Sequence, residues 1–115
     1  MARTAAPGGR KLVNAASTAA DTVGYGMVSI LCIGTGASAA IDVQVGDTST
    51  VDTVPATTLI DPDTGDVIDQ DTFTLASGAT KVLAYIGEKR YIKATGTAMT
   101  VYVLLEEGPR TTPFE

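Results

Sequence analysis

Hydrophobic and polar positions alternate with a period of two along most of the chain beyond residue 26. Val82, Ala84 and Ile86 share one face of a segment that ends at Gly87-Glu88, and Tyr91 follows among Lys89, Arg90 and Lys93. Alternation on both sides of a turn signal predicts a β-hairpin, with strands at about 79–86 and 89–95. The same period turns Ile41, Val43 and Val45 inward and Asp42 and Gln44 outward over 39–45. It sets Met99, Val101, Val103 and Leu105 against Thr100, Tyr102 and Leu104 over 99–105. Residues 26–33 are apolar almost throughout and predict a strand buried on both faces. Phe73 and Leu75 mark one face of a strand over 71–76, and Pro55 marks an edge strand or bend within 50–60. Turn signals at Gly34-Thr-Gly36, Gly46-Asp47, Gly65-Asp66, Ser77-Gly78, Gly87-Glu88 and Gly96 recur at the spacing of a sandwich. The expected fold is all-β, a small antiparallel β-sandwich or barrel-like domain.

The two ends depart from this pattern. Residues 1–22 are rich in Ala, Gly and Ser, with only Leu12 and Val13 offering bulk. They predict an extended N-terminal arm, with a short paired strand at 10–15 as one form and a helix over 12–21 as a poorly supported alternative. The domain then covers 23–106. Residues 107–115, with two prolines, predict an extended tail whose Phe114 docks elsewhere. Residues 22–41 carry no charged side chain, nominally enough to span a bilayer, but Gly34-Thr-Gly36 splits them into two short apolar segments. Two buried strands are expected there, and no membrane partner. Ala-Pro-Gly-Gly near the start breaks any apolar block of an export signal.

Composition narrows the chemistry. At 115 residues the chain forms one domain that buries roughly two-thirds of its unfolded surface. There is no Trp and only two Phe, so the core is built from small and branched residues, and association with neighbours is expected to add to stability. His is absent and Cys32 is alone, which removes the commonest acid–base group, the usual metal ligands and any internal disulfide. Cys32 lies in the apolar run and reads as a buried core residue, with no cation nearby to activate its thiol. The chain is expected not to be an enzyme, to need no cofactor and to take no small-molecule substrate.

The net charge of −5 is uneven. Arg3, Arg10 and Lys11 against Asp21 leave the first 22 residues basic, whereas the rest is acidic, which argues against nucleic acid as a partner of the body. Lys89, Arg90 and Lys93 beside Tyr85 and Tyr91 have the ingredients of a nucleic-acid platform. With so many acids in the same domain, pairing of this basic face with acidic strands of the body or of a neighbour is the favoured reading. Asp61, Asp63 and Asp66, followed by Asp69 and Asp71, are the weak candidates for a metal site, because Ca²⁺ takes six to eight oxygens. Gly65 stands where a ligand is expected and no Glu closes the loop, so a hairpin tip is the simpler reading. The candidate partner-binding residues are Arg10, Lys11, Leu12, Val13, Lys89, Arg90 and Phe114.

The string Leu83-Ala-Tyr-Ile-Gly-Glu-Lys-Arg-Tyr-Ile-Lys93, followed by a Thr/Gly-rich turn and the apolar strand 101–105, resembles a recurrent module in small structural proteins of tailed bacteriophages. That module runs Tyr, Ile or Val, Gly, Asp or Glu, Lys, Arg, Tyr, Ile or Val, then Lys or Arg. Upstream it has an alternating strand, which Ile41-Asp-Val-Gln-Val45 is similar to, and an insert of acidic turns. The resemblance covers about residues 26–106. It implies a capsid decoration, or cement, protein: a virion component without chemistry of its own, made in the host cytoplasm. Such a protein sits on the outer capsid surface, bound to the major capsid protein and to copies of itself as a trimer or dimer. The long acidic loop and the arm leave a second expectation, a β-sandwich binding module in a phage tail or head–tail component with a calcium, glycan or receptor surface.

Overall fold

The computed structural model describes residues 10–37, 39–53 and 59–106. Among these residues there is no helix, and nine strands form two antiparallel sheets. The strands are β1 (Arg10–Val13), β2 (Ala20–Asp21), β3 (Met27–Gly34), β4 (Ala40–Gly46), β5 (Asp52–Thr53), β6 (Leu59–Ile60), β7 (Thr80–Tyr85), β8 (Tyr91–Thr97) and β9 (Met99–Glu106). One sheet has five strands in the order β1-β9-β3-β7-β6, and the other has four in the order β2-β8-β4-β5.

The period-two pattern explains the layering. Ile30, Cys32, Leu83, Val103 and Leu105 project inward from the five-stranded sheet, and Val43, Val45, Ile92 and Ala94 meet them from the four-stranded one. Tyr85 is the one aromatic among the buried core residues described, so the interior is assembled from branched and small side chains as the composition predicts.

The strands of the predicted hairpin exist, at β7 and β8, but they do not pair. β7 lies between β3 and β6 in one sheet, and β8 lies between β2 and β4 in the other. Residues 86–90 therefore carry the chain across the sandwich. A tight two-residue hairpin calls for a positive φ in its turn. The glycines with positive φ among the described residues are Gly24, Gly65 and Gly78, and Gly87 is not one of them. Gly87 serves a different need: the ring of Tyr85 occupies the space that a β-carbon there would take. The next change of sheet, from β8 to β9, turns on Ala98 alone, which holds φ at 50°.

Other expectations also change. Residues 10–13 pair with β9 and residues 20–21 with β8, so the second half of the predicted arm is part of the sandwich. Ala15 between them is fully buried, and its carbonyl accepts the N–H of Ala94 at 3.2 Å. No helix forms over 12–21. Residues 73–76 form no strand, although Phe73 and Leu75 still pack against the core. The turn before them reaches the four-stranded sheet instead. Gln70 Oε1 accepts the N–H of Val43 at 2.7 Å, on a stretch of β4 that the two-residue β5 does not cover. Residues 1–9, 54–58 and 107–115, with Phe114, lie outside the described residues.

Candidate functional site

The two sheets present opposite kinds of outer face. On the four-stranded sheet, Ile92 and Ala94 point inward, which turns Tyr91, Lys93 and Thr95 outward. Their partners across the strands are Asp21, Gln44 and Asp42. This face is polar and charged, as a solvated sheet face is.

The five-stranded sheet breaks that rule. Its strand β3 points Ile30 and Cys32 into the core, so Met27, Ser29, Leu31 and Ile33 face out. Register then aligns a row across every strand: Leu12 on β1, Leu104 on β9, Ser29 on β3, Ala84 on β7 and Ile60 on β6. A bridge from Ile60 adds Val67 at the end of the row. Leu12 and Val67, at its two ends, are each 53% exposed. The adjacent row is Tyr102, Leu31 and Val82, with Val82 exposed and the other two half-buried. Met27, opposite Glu106, lies at the rim. Isolated apolar side chains on a surface need no explanation, but a contiguous patch spanning a sheet marks an interaction surface.

The sequence expected 26–33 to be buried on both faces. Among the described residues, only one face of β3 is covered by another layer. Leu12, named from sequence as an anchor, sits on the uncovered face, while Val13 packs against the core and Lys11 is exposed. Arg10 is placed by register opposite Glu106. The contribution of Leu31, Val82, Tyr102 and Leu104 was not anticipated.

Two basic residues of the motif, Lys89 and Arg90, are engaged within the chain. Lys89 Nζ reaches Asp47 Oδ2 at 3.0 Å. Arg90 makes a two-pronged contact with Asp21, Nε to Oδ1 at 2.9 Å and Nη2 to Oδ2 at 2.7 Å, and its guanidinium lies 5.2 Å from the centre of the Tyr91 ring. Such a forked pair fixes geometry as well as charge. The Arg90 hydrogen bond, with a second from the N–H of Val23, holds the Asp21 carboxyl down at about 2. The ion pair thus ties β2 to the start of β8.

The acidic loop closes on itself in a similar way. Asp61 Oδ1 accepts the N–H of Asp63 at 2.9 Å, the Asp61 carbonyl accepts that of Gly65 at 2.7 Å, and Gly65 takes φ at 80°. This is the hairpin tip expected from its Asp and Gly content. Lys81 Nζ lies between the carboxylates, 2.9 Å from Asp61 and 3.0 Å from Asp63, which lowers the Asp61 pKa and raises that of Lys81. Asp66 joins through its backbone carbonyl, an acceptor for Asp61 N–H at 2.8 Å. An ammonium therefore sits where a cation would, and among the described residues no group of three or more His, Cys, Asp or Glu converges on a point. Burial pushes the Cys32 thiol up to about 12, so it is not a nucleophile near neutral pH.

No family model matches this chain, and neither does any curated protein or solved structure.

Proposed function

We propose that this protein is a non-enzymatic virion structural component that decorates a phage capsid, binding the outer surface of the major capsid protein lattice and stabilising it. The observation that carries this reading is the apolar outer face of the five-stranded sheet, left open by the described residues beside a polar four-stranded one, since such a face needs protein against it, whether the lattice or another copy. A sandwich that leaves one sheet face apolar is built to be buried against protein in an assembly. The resemblance of residues 83–93 to phage structural proteins supplies the kind of assembly. Register adds a second support: Arg10 opposite Glu106 puts the first and last described residues at one corner of that sheet. Segments leaving at one corner of a body repeated over a lattice can add contacts to the same neighbour, which raises avidity without a strong single contact. Of the alternative reading, a β-sandwich binding module in a tail or head–tail component with a calcium, glycan or receptor surface, the calcium form is disfavoured by Lys81 between Asp61 and Asp63.

Co-sedimentation of the protein with assembled capsids tests the proposal. The full chain is expected to pellet with capsids and to raise the temperature at which they break open. A variant lacking residues 1–9, a cut that spares β1 and β2, is expected to bind more weakly. A full chain that stays in the supernatant overturns the decoration reading.

A further inference from the structure

We infer that the outer face of the five-stranded sheet is covered by the same face of a second copy of this chain, packed about a twofold axis. This deepens the proposed function and rests on it for its setting, since it names the partner of the apolar face. The relief of that face is the first argument. Ser29 and Ala84 form the low centre of one row, and Ser29, although it points outward, is only 7% exposed. The next row, Tyr102, Leu31 and Val82, stands higher. The rows lie about 7 Å apart, two residues along a strand.

A twofold axis running across the strands between them exchanges trough and ridge. Leu31 of one copy then sits over Ser29 of the other, and Val82 over Ala84. The contact is self-complementary, as a closed dimer requires. It is also the ordinary packing of two sheets about 10 Å apart, made between chains instead of within one.

Charge permits it. Of the outward positions on β3, β7 and β9, Glu106 alone is ionised, and it lies at the rim. Asp42 lies on the far sheet and Asp47 in the loop after β4, while Asp61, Asp63 and Asp66 sit in the loop at the β6 end of the face, where Lys81 pairs with Asp61 and Asp63 and the remaining charge is screened over about 8 Å. The size is sufficient. Strands about 4.8 Å apart and rising about 3.3 Å per residue give a face of about 500 Å², so two faces bury about 1,000 Å² in total. That is about the lower limit for a specific interface.

Sedimentation velocity of the full chain in dilution series decides the matter. The expected mass is twice the 11.8 kDa of one chain, falling to one chain on dilution. Val82→Lys places an ammonium in each half of the contact and is expected to weaken the dimer by more than about a hundredfold, with the β-sheet circular dichroism unchanged. Leu12→Lys, at the end of the long row, gives a second reading with less risk to folding. Lys93→Glu on the other sheet is expected to leave the dimer intact. A single-chain mass at every concentration, a trimer, or a dimer indifferent to both Val82→Lys and Leu12→Lys overturns the inference. So does a monomer that dimerises only once residues 1–9 or 107–115 are removed, because those segments then cover the face. The decoration reading is judged separately: a monomer that still pellets with capsids sinks the dimer alone, and a dimer that ignores capsids sinks decoration alone.

Discussion

The phenolic oxygen of Tyr85 accepts the backbone N–H of Lys89 at 3.1 Å, and between these two residues the chain passes from one sheet of the sandwich to the other. The Tyr85 ring lies across Gly87 and leaves no space for a β-carbon. Gly87→Ala is therefore expected to destabilise the fold by about 1–3 kcal/mol, the usual result of forcing atoms into a filled site. Tyr85→Phe removes only the hydrogen bond and is expected to cost about 1 kcal/mol. Urea unfolding of the two variants checks both the sizes and their order.

Gln70 offers a second structural test. Its side-chain carbonyl satisfies Val43 N–H at 2.7 Å beside β5, one of the two two-residue strands of the four-stranded sheet. Gln70→Ala leaves that partly buried donor without this acceptor and is expected to cost about 1–2 kcal/mol. Faster amide exchange at Val43 than in the parent protein locates the loss.

Acid sensitivity follows from Asp21. Its carboxyl, ordinarily at 3.8, lies at about 2 in the folded protein because Arg90 and the N–H of Val23 favour the charged form. The folded value is below the unfolded one, so the contribution to stability is present above about pH 4 and disappears as pH falls toward 2. Asp61, lowered by Lys81, acts in the same direction. The pair is well exposed, so the effect is modest and salt-dependent. Melting temperatures of the parent and Asp21→Asn are expected to differ near neutral pH and to converge near pH 2. A gap that stays constant to pH 2 contradicts the assignment.

Calcium is expected to leave the melting curve where chelator leaves it, since Lys81 already answers Asp61 and Asp63. Lys81→Met removes that ammonium and is expected to lower the melting temperature without creating a calcium response, because no Glu closes the loop. Thermal melts with excess calcium and with chelator compare the two.

Much of the layering was legible in the sequence, because alternation such as Ile41-Asp-Val-Gln-Val45 has one meaning in a sheet. Pairing was harder. Gly87-Glu88 looks like a hairpin turn, yet whether Gly supplies a positive φ or room for a neighbouring ring depends on where Tyr85 points. Phe73 and Leu75 show that two apolar residues in alternation can reach the core from an irregular segment. The basic residues were legible as partners of the body's own acids, but their particular partners, Asp21 and Asp47, lie 69 and 42 residues away in sequence. The apolar outer face left a trace in Met27, Leu31 and Ile33, which alternate with core positions without a polar residue of any size between them. Such a run is read as doubly buried, and among the described residues the two layers supply only one cover. That missing layer is the signal that could have exposed the site.

Hydroxyl-radical footprinting of capsid-bound protein against dilute free protein tests the central claim most directly, because it reads the two outer faces in one experiment. Protection is expected at Met27, Leu31 and Tyr102 on the five-stranded sheet, with Tyr91 on the four-stranded sheet reacting equally in both states. Protection of Tyr91 with Met27, Leu31 and Tyr102 unchanged contradicts the account.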